Sequence, residues 1–183
     1  MMQKLVKCGI AGGIVLFLWG MIAWTVLPWH QMHMLKFKDE ARVARVIMEN
    51  TPKSGIYLLP NMMDLPKDSQ ALMAARDAMR QGPFMFASVS LEGKDPNMAL
   101  PMFKGFILKI IAACLVTWLL MQTKLNYNKR VGFVTMVGIV IGIMGTLPHT
   151  FWLGFPLGFS IACMFEIIFG WFFAGLVIAK LVK

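Results

Sequence analysis

Only 9 of the 183 residues are acidic, and charged residues of both signs make up 15% of the chain, against about 25% in an ordinary soluble domain. Hydrophobic residues reach 58%, and the mean hydropathy is +0.66. So little charge on so apolar a chain excludes disorder and disfavours a soluble enzyme. An integral membrane protein is what remains. Cysteine is scarce too: Cys8, Cys114 and Cys163 lie in or beside apolar stretches, with none between residues 30 and 103. There is no CxxC pair, zinc spacing or disulfide framework, which removes membrane thiol oxidoreductases from consideration. Cys8 precedes its apolar run and is not placed as a lipoprotein cysteine. A Gly-rich phosphate loop, GxSxG, HExxH and paired carboxylates are also missing. With no catalytic constellation, a non-enzymatic protein without a cofactor is expected.

The 18 Lys and Arg give a formal charge of +9. They form no basic helix and no aromatic-interleaved basic strand, so no nucleic-acid partner is expected. Instead they flank apolar runs. The first run, 8–27, is uncharged and closed by Pro28-Trp29-His30. Its length covers about 30 Å as a helix, the thickness of a hydrocarbon core. A signal peptide has a shorter core and a small-residue cleavage site. This run ends in Trp24, Val26, Leu27, Pro28 and Trp29, an interfacial anchor, and so reads as a retained helix. Three more runs follow: 106–121, in which Lys109 must snorkel; 131–147, ended by Pro148; and 155–179, ended by Lys180. The link at 147–154 reads as a turn. Lys4, Lys7, Lys124, Lys129, Arg130, Lys180 and Lys183 share one face that carries no acid. Short-loop basic residues mark the cytoplasmic side, which predicts both termini in the cytoplasm of a bacterial cell and the long loop in the periplasm.

That loop reads as a small domain. Residues 34–49 carry a helical pattern, 56–59 a strand, 67–80 a second helix entered through Asp64-Leu65-Pro66 and closed at Gly82, and 84–91 a second strand. Two strands joined across a helix can lie parallel in a right-handed crossover. A two-stranded sheet is marginal alone, so its own helices, the membrane surface or another chain must cover it, and an open strand edge is a docking surface. The expected fold is therefore mainly α: a four-helix transmembrane bundle with a small extracytoplasmic α/β insert between its first two helices. The divisions fall at 1–29, 30–104 and 105–183.

Glu166 is the only acidic residue in any span. An unpaired carboxylate at mid-membrane is costly, so it reads by default as functional. Proton or cation handling is one reading; the other is a buried carboxyl bonded to Thr117, Thr135 or Lys109. Gly154, Gly158, Ala162, Glu166, Gly170 and Ala174 recur every four residues, placing Glu166 on a small-residue stripe that admits a close neighbour. Gly138, Gly142 and Gly145 offer a matching stripe on the third span, so the third and fourth helices are expected to pack. A second candidate is the run His30, Met32, His33 and Met34, with His149 at the same membrane face. Imidazole and thioether ligands suit copper(I), with Met62, Met63, Met98 and Met102 nearby. The bland alternative is that the 17 methionines are core filler.

The stretch Gly82-Pro-Phe-Met-Phe-Ala-Ser-Val, then Gly93 and Pro96 before a span, and Trp152-Leu-Gly-Phe-Pro in the last outer turn, resemble a group of bacterial four-span inner-membrane proteins. The resemblance implies the location and the span count and carries no activity. Two functions follow from the residues. The first is an accessory, assembly or scaffold protein, anchored in the lipid bilayer, whose periplasmic module docks to itself as a homo-oligomer or to a larger membrane complex. The second is a small transporter or copper- or cation-handling protein that uses Glu166, Lys109 and the outer His and Met residues.

Overall fold

The computed structural model describes residues 2–67 and 69–182. In chain order the elements are α1 (Met2–Thr25), a single 3-10 turn (Gln31–His33), α2 (Glu40–Asn50), β1 (Gly55–Leu59), α3 (Gln70–Gln81), β2 (Met85–Val89), α4 (Ala99–Met121), α5 (Tyr127–Leu153) and α6 (Leu157–Leu181). The molecule is mainly helical, and α1, α4, α5 and α6 are each long and apolar enough to cross a membrane. The chain divides into two compact units, one made of residues 1–34, 97–150 and 155–183, the other of 35–96 and 151–154.

In the first unit, close approach is set by glycine. A Cβ at Gly13 would sit 2.6 Å from the Ile110 Cα, and Gly9 lies directly against Cys114, so α1 and α4 touch almost backbone to backbone. A Cβ at Gly12 would meet Ile178 on α6 at 2.6 Å. On α5, Gly138 faces Trp171, while Gly142 faces Met164 and Ile168 of α6. Each pairing advances along one helix as it retreats along the other, so α1 runs antiparallel to α4 and α6, and α5 antiparallel to α6. Cys8, Leu16, Ala113, Val116, Leu120, Val134, Trp171, Ala174 and Ile178 fill the shared core. Small side chains and Leu/Ile/Val knobs let the helices mesh where no hydrophobic driving force exists between them.

Helix ends differ from the apolar runs for identifiable reasons. α4 begins at Ala99, seven residues before its apolar run, because residues 99–105 are themselves mostly apolar and continue the helix past Lys104. α5 continues through Pro148 to Leu153. Proline removes one backbone donor, a loss that a membrane helix tolerates near its end. The turn that follows is only Gly154 to Pro156, with Gly154 at φ +71°, which favours glycine.

In the second unit, Asp39 caps α2 through Oδ1, which accepts from the Arg42 amide at 2.9 Å. Ser69 caps α3, its Oγ accepting from the Leu72 amide at 3.1 Å. Each short polar side chain satisfies one of the amides that a helix start leaves free. Gly82 closes α3 at φ +75°, its amide donating to the Ala78 carbonyl at 2.8 Å. The two strands pair antiparallel, Gly55 opposite Val89 through Leu59 opposite Met85, which corrects the parallel crossover expected from the helix-strand-helix-strand order. A crossover helix alone would return the chain for a parallel strand. Here β2 instead runs back along β1.

Candidate functional site

The site begins with how α1 ends. Pro28 has no amide to give the Trp24 carbonyl, so the helix cannot continue in register. The Leu27 amide bonds back to Ile22 at 3.3 Å, leaving the Ala23 carbonyl without its usual partner. Side chains supply what the backbone does not. The Trp29 indole donates to the Ala23 oxygen at 3.0 Å, His30 Nδ1 lies 3.4 Å from the same oxygen, and Gln31 Nε2 donates to the Trp24 carbonyl at 3.4 Å. The chain therefore folds back beneath its own last turn. His30 is fully enclosed, its ring stacked on Trp24 at 4.1 Å between centroids and meeting Trp29 and Phe159 edge-on.

From α6, Glu166 reaches this pocket. Its Oε2 accepts from the Trp24 indole at 3.0 Å, and His30 Nε2 lies 3.1 Å from the same oxygen. The imidazole is turned off line for a well-angled hydrogen bond. Trp19 donates to the Glu166 backbone carbonyl at 2.9 Å, tying α1 to α6 a second time. A carbonyl oxygen only accepts, so the Nδ1 that faces Ala23 carries a proton. Nε2 then faces the Glu166 carboxyl, so the acidic side chain of α6 meets two side chains from the end of α1 in place of lipid.

Lys109 enters from α4. A Cβ at Gly20 would lie 2.6 Å from Lys109 Nζ and 3.5 Å from Glu166 Oε1, so the missing side chain opens a space that both groups border. The two stay outside ion-pair range, and Nζ lies 5.9 Å from the centre of the Phe17 ring. Beside them an open-sided cavity of about 330 Å³ is lined by Leu16, Trp19, Ala112, Ile141, Ile167 and Trp171, with Lys109 and Glu166 the only charged groups among the described residues that line it.

Glu166, Lys109 and His30 thus come together, although His30 was placed by sequence in a different group. Thr117 and Thr135 do not bond Glu166: Thr135 donates to the Val131 carbonyl at 2.9 Å, and the buried Thr117 hydroxyl has no partner among the described residues. The remaining outer residues separate. Met32 and Met34 are exposed, His33 packs against Gly158, and His149 lies over Phe155 with ring centres 5.5 Å apart. Among the described residues no three His, Cys, Asp or Glu side chains converge to hold a metal ion. The small-residue stripes do not face each other. Gly138 and Gly142 of α5 meet the large residues of α6, whereas Gly170 faces Trp19 and Leu16 of α1, Gly158 faces His33, and Ala162 is buried. Sequence reasoning missed Trp19 and read Trp24 only as an interfacial anchor; at i and i+5 on α1 the two do not share a helix face, so no spacing signalled that both indoles reach one residue of α6.

Comparison with protein-family models, with curated proteins and with solved structures finds no match to this chain. What the protein does must be argued from its own residues.

Proposed function

We propose that the chain is a non-enzymatic, multi-pass protein of a bacterial inner membrane, with both termini cytoplasmic, whose periplasmic module (35–96) docks to a second copy in an assembly or scaffold role. One observation carries this reading. Not one described residue between 35 and 96 is buried, while large apolar side chains stand open, Leu35 at 90% and Met63 at 83% exposure. A folded module of this size with no interior of its own has apolar surface available for a partner.

The strands indicate how. β1 is Gly-Ile-Tyr-Leu-Leu and β2 is Met-Phe-Ala-Ser-Val, with no charge or proline within either. Such unprotected edges are the kind that another strand extends. The module holds eight acidic and nine basic residues, so each copy is close to neutral and net repulsion between two copies is small. Blue native electrophoresis after mild detergent extraction tests this, together with oxidation of a Ser88→Cys variant, whose cysteine would stand alone in the module. A dimer in both is expected. A monomer at every concentration rejects docking. A larger species found only in native membranes, with the purified chain monomeric, replaces the second copy by a different partner.

A further inference from the structure

Lys109 is an ammonium in the middle of α4, and the Glu166 carboxyl, which borders the same space at Gly20, stays outside ion-pair range of it. Among the described residues Lys109 forms no ion pair. It also lies where two apolar cavities meet. One is the 330 Å³ cavity beside Glu166; the other, of about 390 Å³, lies between α1 and α4 and is lined by Phe17, Met21, Trp24, Met102 and Gly105 as well as Lys109. Both fall within the range of small-molecule sites. The α1–α4 register puts Phe17 beside Phe106, and Nζ reaches past that level to Gly20. The side chain therefore snorkels toward the end of the bundle that carries Trp24.

A cation held between apolar walls is stabilised by an anion that brings its own hydrocarbon. We propose that Lys109 anchors an anionic amphiphile, an acyl chain ending in a carboxylate or phosphate, with the anion at Nζ beside Gly20 and the chain lying in the adjoining cavities. A cationic headgroup would meet Lys109 with like charge. A neutral one would leave the ammonium uncompensated. The proposal is independent of docking by the periplasmic module.

The test is thermal unfolding of the purified full chain in neutral detergent, titrated separately with oleate, phosphatidylglycerol, oleyl alcohol and phosphatidylcholine. A saturable rise of about 3 °C or more is expected with one or both anionic amphiphiles and none with the neutral pair. Oleate alone identifies a free carboxylate as the source, and phosphatidylglycerol alone a lipid headgroup. Lys109→Met abolishes the shift, whereas Lys104→Met, which removes the same charge one turn earlier on exposed surface, retains it. Equal stabilisation by oleyl alcohol, or an undiminished shift in Lys109→Met, overturns the proposal. Should Lys109→Met fail to elute as a single species, Ala112→Phe narrows the cavity with the charge intact and must weaken the shift at least severalfold; an unchanged shift there overturns it equally.

Discussion

Single polar groups inside the bundle have consequences that their partners decide. Removing one member of a buried pair costs more than removing both, because the survivor keeps its desolvation without its partner. Glu166→Leu leaves the Trp24 indole and His30 Nε2 facing hydrocarbon, with an expected loss of about 1–3 kcal/mol in an SDS unfolding equilibrium. His30→Phe keeps the stack on Trp24 but strands the carboxyl. The double variant is expected to be more stable than the two losses added together by about 1 kcal/mol or more; simple additivity would show that the two side chains do not act as a pair. Thr117 presents the opposite case. Its hydroxyl is buried without a partner among the described residues, so Thr117→Val is expected to leave stability unchanged or raise it by up to about 1 kcal/mol in the same assay. The weight of Glu166 was legible from sequence, since a lone acid in a span is costly wherever it lies. Its partner was not legible, because His30 is brought there by the way Pro28 ends α1, and no periodicity encodes a chain that folds beneath its own helix.

At the scale of elements, the same kind of residue does different work depending on what stands opposite. Gly13 meets the backbone of Ile110, while nothing lies within 4 Å of where a Cβ at Gly145 would be. Gly13→Ala must push α1 from α4 and is expected to cost about 1–3 kcal/mol, with a lower midpoint in a thermal unfolding series. Gly145→Ala, on an open face of α5, is expected to be neutral or slightly stabilising. Equal effects at the two positions would mean that glycine is not setting the α1–α4 distance. Sequence pattern located the four long helices, because apolar length is written residue by residue, but it set the start of α1 six residues late and that of α4 seven residues late. It did not reveal which stripe faces which helix: a small-residue repeat announces close approach, yet Gly138 on α5 receives a tryptophan and Gly170 on α6 faces a different helix. Strand existence was readable in the same way from 56–59 and 84–91, whereas strand direction is a pairing between segments about thirty residues apart that neither strand's own pattern encodes.

For the whole molecule, orientation across the bilayer is the step on which the proposed docking depends, since a module facing the cytoplasm meets different partners. The end of the bundle where α4 gives way to α5 carries Lys124 in its short link and Lys129 and Arg130 in the first turn of α5, with Lys4 and Lys7 on α1 and Lys180 on α6 at the matching helix ends. Short-loop basic residues are retained on the cytoplasmic side. The three native cysteines all lie within the long helices, and the module has none, so one introduced thiol reports position without background from its own unit. Ser90→Cys, at an exposed position just beyond β2, is expected to react with a membrane-impermeant maleimide added to cells whose outer membrane has been permeabilised. A cysteine placed at Thr123, in the link between α4 and α5, should react only after the inner membrane is opened. The reverse pattern would put the apolar face of the module in the cytoplasm and the basic link outside. The charge asymmetry would then be a product of something other than topology, and any second copy would have to be sought on the other side of the membrane.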